Sequence, residues 1–321
     1  MNKTKKIAIV GLGPVGMVLA VHLKNAGHNV ALFVRSEEKK EIISDNGIVL
    51  SGFISAKAEF QYVFDDISKL KDFDAEIIIS AVKSHQISLL LEMIEPYISK
   101  NTLMVCAQNG IDTENEYSTL FNKSHLLRMV INFAGRLKNP YETEVTFFNA
   151  PNYIAPLNER LANTSQIIAS SLIDNKLDTL SCSYIELKKN IWEKTILNSS
   201  LSALCALSKL TMLEVMSDPD LLLVVRQTIE ESIEVAQKEG VNISDDFLDY
   251  CMIYLTKAGD HFPSLAVDFM NNKSTEIDLF NGKIVAYSKN HNLRTPINSA
   301  FTSMMRAMTA KAKREQLNQA I

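Results

Sequence analysis

Three glycines near the start of the chain, Gly11, Gly13 and Gly16, stand at the spacing G-x-G-x-x-G between the apolar run "KIAIV" and a stretch of helical periodicity. That setting suits a turn holding the pyrophosphate of a dinucleotide. Gly11 allows the tight turn, Gly13 lets the anion approach the backbone, and Gly16 lets helix and strand pack closely. Leu12, Pro14 and Val15 complete the turn and the start of the helix, where unpaired N–H groups and a positive dipole end attract an anion. A second apolar run, "NVALFVR", ends at Arg35. A site selective for NAD carries Asp or Glu at that strand end, to hold the ribose 2′-hydroxyl. A guanidinium there suits a 2′-phosphate instead, through charge-assisted hydrogen bonds. NADP(H) is therefore expected over NAD(H), although Glu37 and Glu38 follow closely enough to contact a ribose.

A turn of this kind needs a sheet behind it. The runs "KIAIVG", "NVALFVR", "AEIIISAV", "TLMVCAQNG" and "HLLRMVIN" read as buried strands, with helical stretches such as "GMVLAVHLKNAG" and "SHQISLLLEMIEPYIS" between them. Strands alternating with helices predict a parallel sheet covered on both faces, that is, an α/β Rossmann-type domain. The segment "GIVLSGFISAKAEFQYVF" has β-like composition without helical period and reads as a hairpin inserted at one side of that sheet. Further strands are expected in "EVTFFNAPNYIAPL", and "LDTLSCSYIE" ends the pattern. From about residue 185 apolar residues recur at spacings of three and four, as in "IELKKNIWEKTILNSSLSALCALS", which predicts an all-α second domain. The expected division is 1–184 for the dinucleotide-binding domain and 185–321 for a helical substrate and catalytic domain.

Bulk properties bound the rest. At 321 residues and 46% hydrophobic, the chain is long enough for two cores. A net charge of −4 leaves no footprint for nucleic acid. Apolar runs stay below the ~18 residues that a membrane span needs, and "IAIVGLG" is too short for a secretory leader. Four cysteines (Cys106, Cys182, Cys205, Cys251) lie far apart without a C-x-x-C pair, which points to buried thiols in a reducing compartment and away from disulfides or a metal. A soluble cytoplasmic protein is expected, and a homodimer is left open.

Four further stretches line up in order: "SAVKSHQ" with Lys83, "CAQNGID" with Asn109, "IWEKTILNSSLSAL" with Lys194 and Asn198, and "FPSLAVDFMNNKSTEIDLFNG" with Ser264, Asp268 and Glu276. Together with the glycine turn, this ensemble resembles the ketopantoate reductases (2-dehydropantoate 2-reductases) across nearly the whole chain. The resemblance implies NADPH-dependent reduction of a small 2-oxo acid, 2-dehydropantoate to (R)-pantoate, on the way to pantothenate and coenzyme A. It implies that Lys194 is the general acid, because a ketone accepting hydride needs a proton at its oxygen and an ammonium can supply it. Asn198 lies one helical turn on, so both side chains can reach one substrate. The resemblance further implies that Ser264 holds the substrate carboxylate and that Asn109 is shared between substrate and cofactor. Lys83 and Ala134 would border the cofactor, and Glu276 would lie near the nicotinamide ribose.

The chain also departs from that family. Its lysine helix reads "NSSLSAL", so Ser202 replaces a second asparagine, as a shorter donor to substrate, and Ala203 replaces a proline. "NAPNYIAPL" lacks the glycines of the family's corresponding strand. These departures bear on the substrate more than on the hydride chemistry. Two alternatives follow: a reductase of a different 2-oxo acid, or a non-catalytic NADP(H)-sensing protein, against which the intact Lys194, Asn198 and Glu276 argue.

Overall fold

The computed structural model describes residues 4–319. The chain folds as two compact units, one running through Gln108 and again over Asp112–Leu187, the other comprising Asn109–Ile111 and the chain from Lys188 onward.

The first unit contains strands β1 (Lys6–Val10), β2 (Asn29–Phe33), β3 (Ile48–Gly52), β4 (Ala56–Ala58), β5 (Tyr62–Phe64), β6 (Ile77–Ser80), β7 (Leu103–Cys106), β8 (Leu126–Val130), β9 (Phe133–Asn139), β10 (Glu142–Phe148), β11 (Asn152–Pro156) and β12 (Thr179–Ser181). Its helices are α1 (Pro14–Asn25), α2 (Glu37–Asn46), α3 (Lys69–Phe73), α4 (Ile87–Ile94), α5 (Thr113–Glu116) and α6 (Ala162–Ile173). Among the described residues, eight strands form the main sheet in the order β12-β11-β8-β7-β6-β1-β2-β5. Pairing is parallel throughout except between β11 and β8, which run antiparallel. The mostly parallel sheet follows from the strand–helix alternation, and the antiparallel step sits where β11 follows other strands with no helix between.

Side chains alternate across this sheet, and both faces are buried. Ile7, Ile9, Leu32, Ile77, Ile79 and Val105 pack on one face with α1 and α6. Ala8, Val10, Phe33, Ile78, Met104 and Cys106 pack on the other with α4. Because both faces are covered, these strands read as continuous apolar runs and not as alternating ones.

The stretch expected as a hairpin beside the main sheet does something else. β3 and β4 do pair antiparallel, but β3 also runs parallel to β10, and β4-β3-β10-β9 form a separate four-stranded sheet. Only β5 joins the main sheet, next to β2. Helix α1 packs against both sheets, so Met17 through Leu23 are all buried. A helix enclosed in this way needs apolar residues nearly all round, as "MVLAV" and Leu23 supply, and its one polar residue there, His22, bonds the Val18 carbonyl at 2.7 Å.

Helix α7 (Tyr184–Ser208) leads into the second unit, which continues with α8 (Met212–Ser217), α9 (Pro219–Lys238), α10 (Phe247–Thr256), α11 (Ser264–Met270), α12 (Asn281–Asn290) and α13 (Pro296–Gln319). Helix α9 starts at Pro219 with the Asp218 carboxylate accepting from the backbone N–H groups of Asp220 and Leu221. It stops at Gly240, which has φ of +72°. Helical spacing runs through "STEIDLFNGKIVAYSKN" in the sequence, but the backbone breaks at Phe280 (φ −105°, ψ −100°), leaving a 3-10 turn at Ile277–Leu279 ahead of α12. Among the described residues, no helix is long and apolar enough to cross a membrane, and no group of His, Cys, Asp and Glu is placed to hold a metal.

Candidate active site

The three glycines of the turn have three different reasons to be glycine. Gly11 has φ of +98°, and a Cβ there would lie 2.5 Å from the Val82 backbone nitrogen. A Cβ on Gly16 would lie 2.0 Å from the Gly11 carbonyl oxygen. Both are therefore required by the fold of the turn itself. Gly13 differs: its φ is an ordinary −87°, and a Cβ would meet nothing within 4 Å. Space beside the N-cap of a 12-residue helix, kept clear by a glycine that the backbone does not need, suits an anion held by helix N–H groups. The residues present thus fit a dinucleotide pyrophosphate. Leu12 is buried in this turn, and Pro14 and Val15 are half-buried at the start of α1.

The other cofactor candidates of the first unit gather around the same helix end. Lys83 follows the Ala81–Val82 segment that packs on Gly11, and it opens a 3-10 turn over Ser84–Gln86. Gln86, in that turn, accepts a 2.5 Å hydrogen bond from the exposed Arg35 guanidinium, so the loops after β2 and β6 are joined. Ala134 lies in β9, and a Cβ on its neighbour Gly135 would come 3.3 Å from Pro14 Cβ.

Two residues that spacing alone left unnoticed belong to this region. Lys39, in α2, donates from Nζ to the Leu12 carbonyl at 2.9 Å. Burial, and next the nearby Arg35 charge, hold its ammonium below the usual lysine range. Gln108 is buried, and its side-chain amide donates to the Ser80 and Val82 carbonyls at 3.0 and 3.1 Å. It thereby ties the chain just before Asn109 to the loop that carries Lys83. Deeper in the unit, the Ser80 hydroxyl accepts from Tyr117 at 2.6 Å, and the buried Arg128 faces Glu114 at 3.3 Å. Glu114 also accepts from the Tyr184 hydroxyl.

In the second unit, Lys194 and Asn198 are half-buried on α7, one turn apart, while Trp192, Ile196 and Ser199 are buried. Ser202, one more turn along, is 4% exposed. Two contacts lock α7 to the segment that follows Glu276. The Trp192 and Tyr287 rings lie 5.4 Å apart. Asn281, fully buried, donates to the Ser199 carbonyl and to Asn298 Oδ1, both at 2.9 Å. Asn281 carries no such signal in the sequence, because inside the helical spacing of "DLFNGKIVAY" it looks like one more polar helix residue. Glu276 immediately precedes the 3-10 turn at Ile277–Leu279, and the Ile111 N–H donates to the Leu279 carbonyl at 3.2 Å. The half-buried Asn109 therefore enters the same unit as Lys194, Asn198 and Glu276, two residues before that anchor. Ser264 is the first residue of α11, exposed, on a helix outside this set of contacts.

Burial pushes Cys182, Cys205 and Cys251 up to about 12 and Cys106 higher still, so all four stay protonated at neutral pH.

Two family models match the chain: the one described as Ketopantoate reductase PanE/ApbA over residues 7–159, and the one described as Ketopantoate reductase PanE/ApbA C terminal over residues 186–309. A 2-dehydropantoate 2-reductase of Streptococcus pyogenes is 26% identical over 307 residues, covering 95% of this chain and 98% of that one. Among solved structures, a ketopantoate reductase from Ralstonia eutropha superposes with a TM-score of 0.84 at 22% identity, covering 96% of this chain and 99% of that one. A D-mandelate dehydrogenase in ternary complex with NADH and anilino(oxo)acetate gives 0.83 at 22% identity, with the same coverage. At such identities the two structures speak for the fold alone.

Proposed function

Since the chain belongs to the ketopantoate reductase family, we propose that it is an NADPH-dependent reductase of a small 2-oxo acid, converting 2-dehydropantoate to (R)-pantoate for pantothenate and coenzyme A synthesis. The observation that carries the reading is the pair Lys194 and Asn198, half-buried one turn apart on a helix whose neighbouring side chains are buried.

The pyrophosphate of the dinucleotide is assigned to the turn Gly11–Gly16, its 2′-phosphate to Arg35, and its flanks to Lys83, Ala134, Asn109 and Glu276. When bound, the reduced nicotinamide would supply the hydride to the carbonyl carbon and leave oxidised. The Lys194 ammonium would give its proton to the carbonyl oxygen as that oxygen takes up the C=O π electrons, forming the hydroxyl. Solvent then restores the proton to Lys194. Until transfer, the ammonium offsets the charge growing on oxygen, a contribution worth about 10²–10⁴ in rate for a positioned acid. Asn198 and Ser202 orient the substrate through neutral hydrogen bonds, and Ser264 receives its carboxylate.

A second reading, a reductase of a bulkier or aryl 2-oxo acid, draws on Ser202, which is shorter than the asparagine the family often has there. One experiment separates the readings. NADPH oxidation is followed with 2-dehydropantoate and a panel of branched and aryl 2-oxo acids, for the wild type and for Lys194→Ala. The expected result is the highest kcat/KM on 2-dehydropantoate and a kcat about 10²–10⁴ lower in the folded variant. A higher kcat/KM on an aryl acid would transfer the assignment to the second reading. NADPH binding with no turnover of any acid would make the chain a sensor of the dinucleotide.

A further inference from the structure

Arg35 is not the only cation at the end of β2. Lys39 reaches back from the first turn of α2 to the Leu12 carbonyl, at 2.9 Å, between the first two glycines of the turn. Its own backbone N–H is capped by the Ser36 hydroxyl at 3.3 Å. The next residue, Lys40, points elsewhere and pairs with Asp65 at 3.0 Å. Among the described residues, Arg35 and Lys39 pair with no such carboxylate. Arg35 is bonded to the neutral Gln86 and Lys39 to a neutral carbonyl. Two neighbouring cations, one half-buried, repel each other and gain little from neutral acceptors; an anion of two charges placed between them reverses both costs. An ammonium has three donors and the Leu12 carbonyl takes one, which leaves two for that anion.

We propose that Lys39 is a second cation of the 2′-phosphate site, binding the phosphate together with Arg35 while its bond to Leu12 couples that phosphate to the position of the glycine turn. In a sheet of this kind the pyrophosphate lies at the first helix and the adenosine ribose at the end of the second strand. A residue that joins the two places can therefore discriminate NADP(H) from NAD(H) and also set the turn. The proposal rests on the NADP(H) reading of the cofactor.

The test uses adenosine fragments, so it does not depend on turnover. Affinities for 2′,5′-ADP and 5′-AMP are measured by calorimetry on the full chain, for wild type, Lys39→Gln, Lys39→Arg and Arg35→Ala, with a thermal melt of each preparation. Lys39→Gln is expected to weaken 2′,5′-ADP by about tenfold or more, as for a lost charge-assisted bond, and 5′-AMP by less than about twofold. Lys39→Arg should recover most of the loss. Equal weakening of both fragments would reduce Lys39 to a clamp on the turn and overturn the proposal, as would no change in either. If Arg35→Ala loses 2′,5′-ADP selectively and Lys39→Gln does not, the cofactor reading stands and the role of Lys39 falls. A wild type that binds both fragments equally removes both.

Discussion

Gly13 and Gly16 are three residues apart in one turn, yet the structure demands opposite outcomes from substituting them. In Gly13→Val the new side chain meets no atom within 4 Å at its Cβ, and φ is −87°. The folding cost is then that of a poor residue at a helix N-cap, about 1 kcal/mol, or roughly 2–4 °C in melting temperature for a domain of this size. In Gly16→Ala the Cβ would sit 2.0 Å from the Gly11 carbonyl oxygen. That carbonyl cannot retreat cheaply, because Gly11 is itself at φ +98° and has no room toward Val82, whose nitrogen would lie 2.5 Å from a Cβ there. Relief requires the β6 loop to move as well, an overpacking cost of about 3 kcal/mol or more. Binding should run the other way. The valine fills the space assigned to pyrophosphate, so NADPH affinity should fall by about a hundredfold or more, ~2.7 kcal/mol. Both quantities come from one preparation of each variant, by differential scanning fluorimetry and by titration of nicotinamide fluorescence. Wild-type NADPH affinity in Gly13→Val would refute the pyrophosphate assignment. A Gly13→Val protein melting as early as Gly16→Ala would show that Gly13 serves the fold after all.

Two further outcomes follow from buried polar groups. His28 is 3% exposed; its Nδ1 accepts from the Lys5 N–H at 3.1 Å and its Nε2 faces Ser171 Oγ at 2.8 Å. Burial lowers its affinity for a proton, with the Glu76 charge opposing this and the Lys5 charge adding to it, and burial likewise lowers His22 inside α1. With folded values below 6.5, the unfolded chain binds more protons in the window beneath 6.5. Stability is thus complete above that pH and declines as pH falls through the window. Urea midpoints at pH 8, 6.5 and 5.5 should show the decline, and His28→Gln should flatten part of it; an unchanged slope in the variant would clear His28 of the effect. Asn281→Ala removes two buried hydrogen bonds and leaves the Ser199 carbonyl without that donor, so unfolding should become easier by about 2–4 kcal/mol. A midpoint within error of wild type would mean that α7 and α12 are held by the Trp192–Tyr287 contact instead.

Features set by neighbouring residues are legible in this sequence, and pairings between distant segments are not. The five apolar runs became strands, and the glycine spacing marked the turn, because both signals lie within a few residues of one another. The second sheet was missed because its register is set by β10, which pairs Glu142 with Val49 from more than ninety residues away. No local pattern distinguishes a hairpin flanking one sheet from a hairpin that seeds another. Lys39 was hidden for a different reason: in "SEEKKE" it looks like any solvated helix residue, and only the approach of α2 to the turn separates it from Lys40. The break at Phe280 was invisible because its neighbours keep helical spacing; the 3-10 turn there is anchored by Ile111, far back in the chain.

The tripeptide Asn109–Ile111 has a consequence for recombination between related genes. It is encoded in the middle of the first unit but belongs to the second. A crossover near residue 188 would therefore exchange most of the helical unit and leave this piece behind. Gly110, at φ +97°, would place a Cβ 2.6 Å from that of Leu279, and the Ile111 N–H serves the Leu279 carbonyl. Residues 110 and 279 must consequently be compatible within one gene, though 169 positions separate them. A chimera that respects the fold carries three codons from the donor of its helices into the other parent's gene, in the stretch between those for β7 and β8.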